Sequence, residues 1–459
     1  MPHRSPDADA VPRASFARSA VQTYGTNVAG AVLSLVSVLI IARALGPEGR
    51  GNVAYLTAIA WFSASLATVG LQEANANIAA ADPSSRRALA TNSVVLSVLF
   101  GVLAIALLAG LIAVVPAVGG ESDPALRWVA LGFIPLLILQ ICLRLLVQAD
   151  YGFAVSNLSY LIGPVLNAGL NGIFALFGVL TVEAAVGVWL GGQALGTVVL
   201  VWYVLRRQTG FGRPDAGLAR RALGFGARAH IGRVMQLGNY RLDQVLLGAI
   251  AGPRELGLYS VAVAWAEALW FLPTTLSYVQ RPDLVRARSA AEAARQSARA
   301  FRATTVLTVA CALVMVAGAP LLCTVLFGQA FEGAVDDLRV LVAGAFGMVA
   351  LKILGTALVA RGYPGLQSVA IGTGFVFTVG LNVLLIPALG GLGAALASTL
   401  AYTASGVVVA IIFLRTLDGR AGDLIPRRGD VSWFADKLRH RIKRRTPAAS
   451  APGPGESSP

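Results

Sequence analysis

The chain has 459 residues, of which 56% are hydrophobic and 13% are charged, and its formal net charge at pH 7 is +14. A soluble fold of this length could not bury so many apolar side chains, so the composition excludes a soluble protein and indicates a polytopic membrane protein. The positive charge lies mostly on arginines between the apolar stretches. This distribution argues against nucleic acid as a partner and predicts attraction to anionic membrane lipids.

Long apolar stretches recur along the chain at the length of a membrane-spanning helix. Such a helix needs about 20 apolar residues, and its backbone groups must be hydrogen-bonded within the segment. Twelve stretches qualify: residues 21–42, 52–75, 89–116, 126–148, 153–178, 183–205, 229–251, 256–279, 303–326, 337–360, 366–387 and 392–414. We therefore predict an all-α membrane protein with about twelve transmembrane helices.

The orientation follows from the basic residues, which accumulate on the cytoplasmic side of short loops. If residue 1 lies inside the cell, most arginines and lysines outside the spans fall on the inner side. The exceptions are Arg43, Arg50, Arg127 and Arg254, which are then outside. We expect both termini to be cytoplasmic.

The segments between the spans divide the chain into five parts. They are a cytoplasmic tail (1–20), an N-lobe (21–205), a cytoplasmic linker (206–228), a C-lobe (229–416) and a cytoplasmic tail (417–459). In the last part Val431, Phe434, Leu438 and Ile442 recur at helical spacing beside a cluster of lysines and arginines. This pattern predicts a basic amphipathic helix on the membrane surface, with a solvated basic tail as the alternative.

Two short motifs repeat at nearly equal offsets. The Gly-Pro-x-x-x-Gly turn at Gly46–Gly51 recurs 206 residues later at Gly252–Gly257, and Gly-Leu-Asn at Gly169–Asn171 recurs 211 residues later at Gly380–Asn382. Each copy falls on the equivalent helix of a six-helix half. We therefore predict two parallel six-helix lobes around a central cavity, which would hold substrate near mid-membrane and expose it alternately to either side.

Four charged residues are predicted at mid-membrane: Arg241, Asp243, Glu267 and Lys352. A charge at a helix centre costs about 2.5–3.5 kcal/mol on insertion scales, so these residues are candidates for function. Arg241 and Asp243 are two positions apart on one helix and cannot face each other. We expect either Arg241 to pair with Glu267 or Asp243 to pair with Lys352; a purely structural ion pair is the alternative.

The seventh span carries a polar stripe that is expected to line an aqueous cavity. Its members are Arg233, Gln236, Tyr240, Asp243 and Gln244, which fall within one arc of the helix.

Further polar candidates lie on the first and fourth spans. Arg144 is flanked by Gln140 and Gln148, and both Arg144 and Arg233 lie near cytoplasmic helix ends, where snorkelling to the interface is the alternative to a binding role. On the first span Thr23, Asn27, Gly30, Ser34 and Ser37 share a face. Close helix packing is the alternative there.

Three stretches resemble a known family. The run Ile40–Gly51 (IIARALGPEGRG) looks like the first-loop signature of bacterial polysaccharide flippases in the multidrug/oligosaccharidyl-lipid/polysaccharide exporter superfamily. Tyr240–Gly248 followed by Gly257–Ala262, and Leu381–Pro387 followed by Gly391–Ala395, are similar to later helices of that family.

The resemblance implies a multi-pass protein of the bacterial inner membrane. It would flip a polyprenyl-pyrophosphate-linked oligosaccharide, the precursor of a polysaccharide repeat unit, from the cytoplasmic to the outer leaflet. Arg241 and Lys352 would bind the pyrophosphate, and Arg144 and Arg233 would recruit it, while Tyr240 and Asn27 complete the substrate site. If transport is coupled to a proton or a sodium ion, Asp243 or Glu267 would be the coupling residue.

Two other functions remain open at this stage. One is a multidrug cation antiporter of the same superfamily, and the other is a membrane glycan polymerase or ligase. The sequence has neither a phosphate-binding Gly-x-x-x-x-Gly-Lys loop nor a His-Glu-x-x-His motif. We therefore expect no enzymatic activity, no cofactor and no metal site.

Overall fold

The computed structural model describes residues 13–207, 210–427 and 430, and within these ranges the chain is helical, without strands. The α-helices are α1 (Arg13–Ala67), α2 (Leu71–Ala81), α3 (Arg86–Val114), α4 (Pro124–Gly132), α5 (Ile134–Ala149), α6 (Phe153–Leu176), α7 (Val182–Arg207), α8 (Ala216–Ile250), α9 (Gly252–Ala268), α10 (Phe271–Val285), α11 (Ala290–Pro320), α12 (Ala334–Ala360) and α13 (Pro364–Thr416).

Helices α1 and α13 each supply two membrane crossings. They have 55 and 53 residues, and a straight helix of that length would extend about 80 Å, far beyond the roughly 30 Å hydrocarbon core. Both change direction at a glycine with positive φ, Gly46 (67°) and Gly390 (55°). We call the membrane side where α1 begins the near side and the side of the Gly46 turn the far side.

The described residues contain nine segments that are long and apolar enough to cross a membrane. Because α1 and α13 each count once among them, they provide eleven crossings. Helix α8 is the twelfth, and it falls outside the nine because Arg233, Arg241 and Asp243 interrupt its apolar stretch. The predicted all-α fold of about twelve transmembrane helices is confirmed.

Several helix boundaries differ from the predicted ones. Helix α8 begins at Ala216, inside the predicted linker, since the Asp215 carboxylate caps it by accepting from the backbone N of Leu218 (2.9 Å). The fourth span consists of α4 and α5, and the eighth of α9 and α10. The N-terminal tail is helical from Arg13 onward, whereas the amphipathic helix predicted at 431–445 lies outside the described residues.

The helices pack as two groups, α1–α7 and α8–α13. Within the first group α1 packs on α6, α6 on α7 and α3 on α5; within the second, α12 and α8 pack on α13. The groups meet where α1 packs on α9 and where α2 packs on α8. The largest apolar core spans this junction and includes Tyr55 and Tyr259, both fully buried.

The two repeated Gly-Pro turns contact each other reciprocally on the far side. A Cβ placed on Gly51 would lie 1.6 Å from the carbonyl oxygen of Pro253, and a Cβ on Gly257 would lie 1.8 Å from that of Pro47. Residue pairs related by the 206-residue offset thus exchange equivalent contacts, as expected for two parallel repeats. Only glycine allows the backbones to approach so closely.

The repeated Gly-Leu-Asn motif has a similar environment in both halves. Asn171 and Asn382 are both fully buried, and in each the side-chain Oδ1 is without a hydrogen-bond partner among the described residues.

Further contacts join the two groups toward the near side. Gly70 and Gly226 bring their backbones together, with a Cβ on Gly70 lying 2.2 Å from the Gly226 carbonyl oxygen. The hydroxyls of Tyr24 and Thr275 are 2.8 Å apart and join α1 to α10. The two groups of helices are therefore held together near both membrane surfaces.

Candidate functional site

A cavity of about 480 Å³ lies between α1, α5, α6, α7 and α8. Three arginines line it, Arg144, Arg233 and Arg241, and no carboxylate is among its lining residues. The remaining lining is mostly polar or aromatic: Ser34, Ser37, Thr57, Trp61, Ser65, Gln72, Gln140, Ser159, Tyr160, Asn167, Trp189 and Gln193. An anionic, hydroxyl-rich ligand would be the chemical complement of this surface.

A second cavity of about 610 Å³ lies between α1 and α9. It adjoins the first, because Ser34, Val38, Tyr160 and Arg241 line both. Valine, alanine and leucine side chains dominate its wall, interrupted by the charged residues Arg50, Arg241 and Glu267.

Arg241 forms an ion pair with Glu267 at the boundary between the cavities. Its Nη1 donates to Oε1 (2.6 Å) and its Nη2 to Oε2 (3.3 Å), so the guanidinium and the carboxylate are bonded at two points. The side chains keep 34% and 26% of their surface exposed. The structure thus contains the first of the two pairs expected from the sequence, in a position that a ligand in the cavity can reach.

Among the described residues, Asp243 does not pair with Lys352, the other of the two pairs expected as alternatives. Its carboxylate accepts hydrogen bonds from the Tyr259 hydroxyl (2.5 Å), the Ser398 hydroxyl (3.0 Å) and the backbone N of Gln244 (2.8 Å). Asp243 is 2% exposed and lies between α8, α9 and α13. These neutral donors satisfy the carboxylate, so it needs no cation beside it.

Lys352 is not among the residues that line either cavity, although it was expected among the substrate ligands. Its Nζ is 5.3 Å from the centroid of the Tyr240 ring, and that ring packs at 5.4 Å on Trp270. The ammonium group is therefore stabilised by a cation–π contact within the second group of helices. Tyr240, its partner, does not line either cavity.

The predicted stripe on α8 is divided between different surroundings. Arg233 lines the first cavity and Gln244 the second, whereas Asp243 points into the second group of helices. The expectation that the whole stripe faces one aqueous cavity was wrong.

Arg144 faces the first cavity together with Gln140. Its guanidinium carbon lies 5.8 Å from the centroid of the Tyr160 ring, so an aromatic face holds it. Gln148 instead donates to the Ser156 hydroxyl (2.7 Å) and is not part of the lining.

The polar face of the first span is only partly in the site. Ser34 and Ser37 line the first cavity, but Asn27 is exposed and lines neither cavity. Gly30 packs against the Tyr160 ring, where a Cβ would lie 2.6 Å from a ring carbon. Close packing therefore accounts for that glycine.

One functional candidate was missed from the sequence. Arg50 was expected on the outer surface, but it lines the second cavity, and its buried Nε has no hydrogen-bond partner among the described residues. The available signal was the repeat, because the equivalent position in the second turn is Leu256, which is fully buried.

Solved structures share this fold. The lipid II flippase MurJ in an inward closed conformation matches with a TM-score of 0.70 and 10% identity, covering 94% of each chain. An inward-facing multidrug resistance MATE family transporter of the MOP superfamily matches with a TM-score of 0.66 and 17% identity, covering 85% of this chain and 94% of that one.

A MOP superfamily transporter from Pyrococcus furiosus, described as having a binding pocket of reverse polarity, matches with a TM-score of 0.56 and 14% identity. The alignment covers 88% of this chain and 95% of that one. No curated protein matches the sequence. A family model described as polysaccharide biosynthesis protein matches residues 40–336, more than half of the chain. The resemblance noted in the sequence is thereby confirmed: the chain belongs to the polysaccharide biosynthesis protein family and has the fold of MOP superfamily transporters.

Proposed function

We propose that the protein flips a polyprenyl-pyrophosphate-linked oligosaccharide across the membrane by alternating access. The observation that carries this proposal is the first cavity, where three arginines and no carboxylate are among the lining residues. A pyrophosphate cannot cross hydrocarbon unaided, and guanidinium groups suit phosphate oxygens because they donate two parallel hydrogen bonds. The family match to polysaccharide biosynthesis supports the same substrate class.

The rest of the lining suits a sugar. Gln140, Gln193 and Asn167 supply donors and acceptors for hydroxyl groups, and Trp61 and Trp189 offer flat apolar surfaces. A volume of about 480 Å³ falls in the range of small-molecule sites. The polyprenyl chain would stay outside the helix bundle, in lipid.

The positive charge of the first cavity also argues against a multidrug cation antiporter. A multidrug cation antiporter would need acidic groups facing its ligand, but Asp243 is enclosed and Glu267 is paired with Arg241. A glycan polymerase or ligase would need a sizeable far-side catalytic loop, and the far-side connections among the described residues are short.

Alternating access requires that the two groups of helices separate on one side at a time. Far-side opening would break the reciprocal Gly-Pro contact and the bonds from Arg43 to the carbonyls of Leu326 (2.5 Å) and Val325 (2.8 Å). Near-side opening would part Gly70 from Gly226 and Tyr24 from Thr275. We assign the near side to the cytoplasm of a bacterial inner membrane, because the basic segments lie there.

Coupling to an ion is not required by the electrostatics. An anionic headgroup moving outward from an inside-negative cell gains about 2.3 kcal/mol per charge per 100 mV. If an ion is coupled, Asp243 is the better candidate of the two acids, because Glu267 already has a cationic partner. The ion would be a proton or sodium.

The experiment is deletion of the gene in the native cell. The proposed function predicts that lipid-linked glycan accumulates in the inner leaflet, that surface polysaccharide is lost and that drug susceptibility is unchanged. Increased drug susceptibility with normal polysaccharide would instead establish the multidrug antiporter. Glycan that reaches the outer leaflet but is not polymerised would establish the polymerase or ligase.

A further inference from the structure

Arg50 forms no ion pair with any of the residues that the structure describes. It begins the returning limb of α1, three residues after Pro47, and lines the second cavity. Its Nε is buried without a hydrogen-bond partner among the described residues. An unpaired guanidinium in such a place is unfavourable for folding, so its presence calls for a ligand that is absent from the free protein.

The fold itself does not need an arginine at this position. The 206-residue repeat places Leu256 at the equivalent point of the second turn, where it is fully buried in the core. Both turns nevertheless adopt the same form, with positive φ at Gly46 (67°) and Gly252 (84°), and make the same reciprocal contact. A leucine therefore packs adequately at this position of the turn, so the turn does not require the positive charge of Arg50.

The surroundings of Arg50 suit a phosphate group. Arg241 lines the same cavity and supplies a second guanidinium, while Gln244 and Ser260 are polar neighbours along the wall. The carboxylate present there, Glu267, is occupied by two hydrogen bonds from Arg241. A phosphate entering the cavity would meet two guanidinium groups, of which only that of Arg241 is paired with the Glu267 carboxylate.

We propose that Arg50 forms a second phosphate-binding site, on the far side of the Arg144–Arg233 site, which receives the pyrophosphate of the lipid-linked sugar after it passes Arg241. This inference rests on the proposed function and adds a second phosphate-binding site along the same transport path. Arg241 lines both cavities and therefore lies between the two phosphate-binding sites.

The test is calorimetric titration of inorganic pyrophosphate into the full chain in phosphatidylcholine nanodiscs. We compare Arg50→Gln and Arg50→Lys with the wild type. Arg254→Gln is the matched control, because it removes an exposed arginine from the equivalent turn that lines neither cavity. The double variant Arg144→Gln/Arg233→Gln isolates the far-side site from the near-side one.

In the double-variant background, we expect Arg50→Gln to weaken the remaining pyrophosphate binding roughly 10- to 100-fold, the effect of losing hydrogen bonds to a charged group. Arg50→Lys should weaken pyrophosphate binding less, since lysine keeps the positive charge but lacks the two parallel N–H donors of the guanidinium group. Arg254→Gln should leave pyrophosphate binding unchanged. Without ligand, Arg50→Gln should not lower the Tm, because it removes an unpartnered charge. A large drop in that Tm would show a structural role and overturn the proposal.

The outcomes separate this proposal from the proposed function. If the near-side double variant weakens binding but Arg50→Gln does not, the second site is overturned and the flippase function stands. If the wild type does not bind pyrophosphate, both fall. A second set of discs containing phosphatidylglycerol tests the other source of phosphate: if this lipid abolishes Arg50-dependent binding, the site belongs to membrane phospholipid and the assignment to substrate is overturned.

Discussion

The reciprocal contact of the Gly-Pro turns is predicted to control far-side closure, and Gly257→Ala tests this. The added Cβ would lie 1.8 Å from the Pro47 carbonyl oxygen and 2.7 Å from its carbonyl carbon. Both are backbone atoms, so no side-chain rotation relieves the clash, and the turns must move apart by more than about 1 Å. Overpacking of this kind typically costs about 1–3 kcal/mol. Because far-side opening removes the contact, the same energy favours the far-side-open state by roughly 5- to 150-fold.

The assay is a distance measurement by pulsed electron paramagnetic resonance between spin labels on Glu48→Cys and Arg254→Cys, two exposed positions related by the repeat. The labelling background carries Cys311→Ser, since Cys311 is the exposed native cysteine among the described residues. Gly257→Ala should shift the distance distribution to longer values. Gly380→Ala is the control, because a Cβ there meets no atom within 4 Å. An unchanged distribution in Gly257→Ala would refute the view that this contact closes the far side.

Three further predictions follow from the polar contacts. Glu267→Gln should tighten pyrophosphate binding by about tenfold, because Arg241 is released from its carboxylate partner; calorimetry with unchanged or weaker binding would contradict this. Tyr259→Phe should lower the unfolding free energy by about 1–3 kcal/mol, because the buried Asp243 carboxylate loses a donor, whereas the exposed Tyr278→Phe should not; equal Tm values for the two variants would count against it. The third concerns Asp430, whose pKa is held below its usual value chiefly by the hydrogen bond from the Arg302 side chain. Because the pKa is lowered in the folded state, the carboxylate stabilises the fold above the unfolded-state pKa near 4, and this stabilisation is lost as the pH falls through the folded-state pKa. The Tm difference between wild type and Asp430→Asn should therefore be present at pH 7 and vanish in acid. A Tm difference that persists in acid would disprove the electrostatic origin.

The membrane-spanning architecture could be predicted because hydropathy and helix length are properties of local sequence. The repeat was equally visible, since the Gly-Pro turns must keep glycine where their backbones touch. The breaks at Phe133 and at Leu269–Trp270 were not predicted, because the apolar runs continue across them.

The candidate site was harder to predict, because helical spacing fixes which residues share a face but not what that face contacts. On α8 the spacing placed Asp243 with Arg233, yet packing against α9 and α13 enclosed Asp243 beside Tyr259 and Ser398. Lys352 was assigned to the cavity from its depth alone, but it lines neither cavity and its ammonium group lies over the Tyr240 ring. Arg50 was placed outside by the distribution of basic residues. That distribution indicates the side of the membrane on which a residue lies, but not whether its side chain points into a cavity.

The central claim is that the arginine-lined cavity carries an anionic lipid headgroup across the membrane. The most direct measurement is the rate at which the purified full chain flips polyprenyl-pyrophosphate-linked oligosaccharide, extracted from the deletion strain, in proteoliposomes. Arg339→Gln, which removes an exposed arginine paired with Asp336, serves as the control. We predict that Arg144→Gln/Arg233→Gln abolishes flipping while Arg339→Gln flips at the wild-type rate. Flipping by the double variant at the wild-type rate, with equal amounts of folded protein, would contradict the claim.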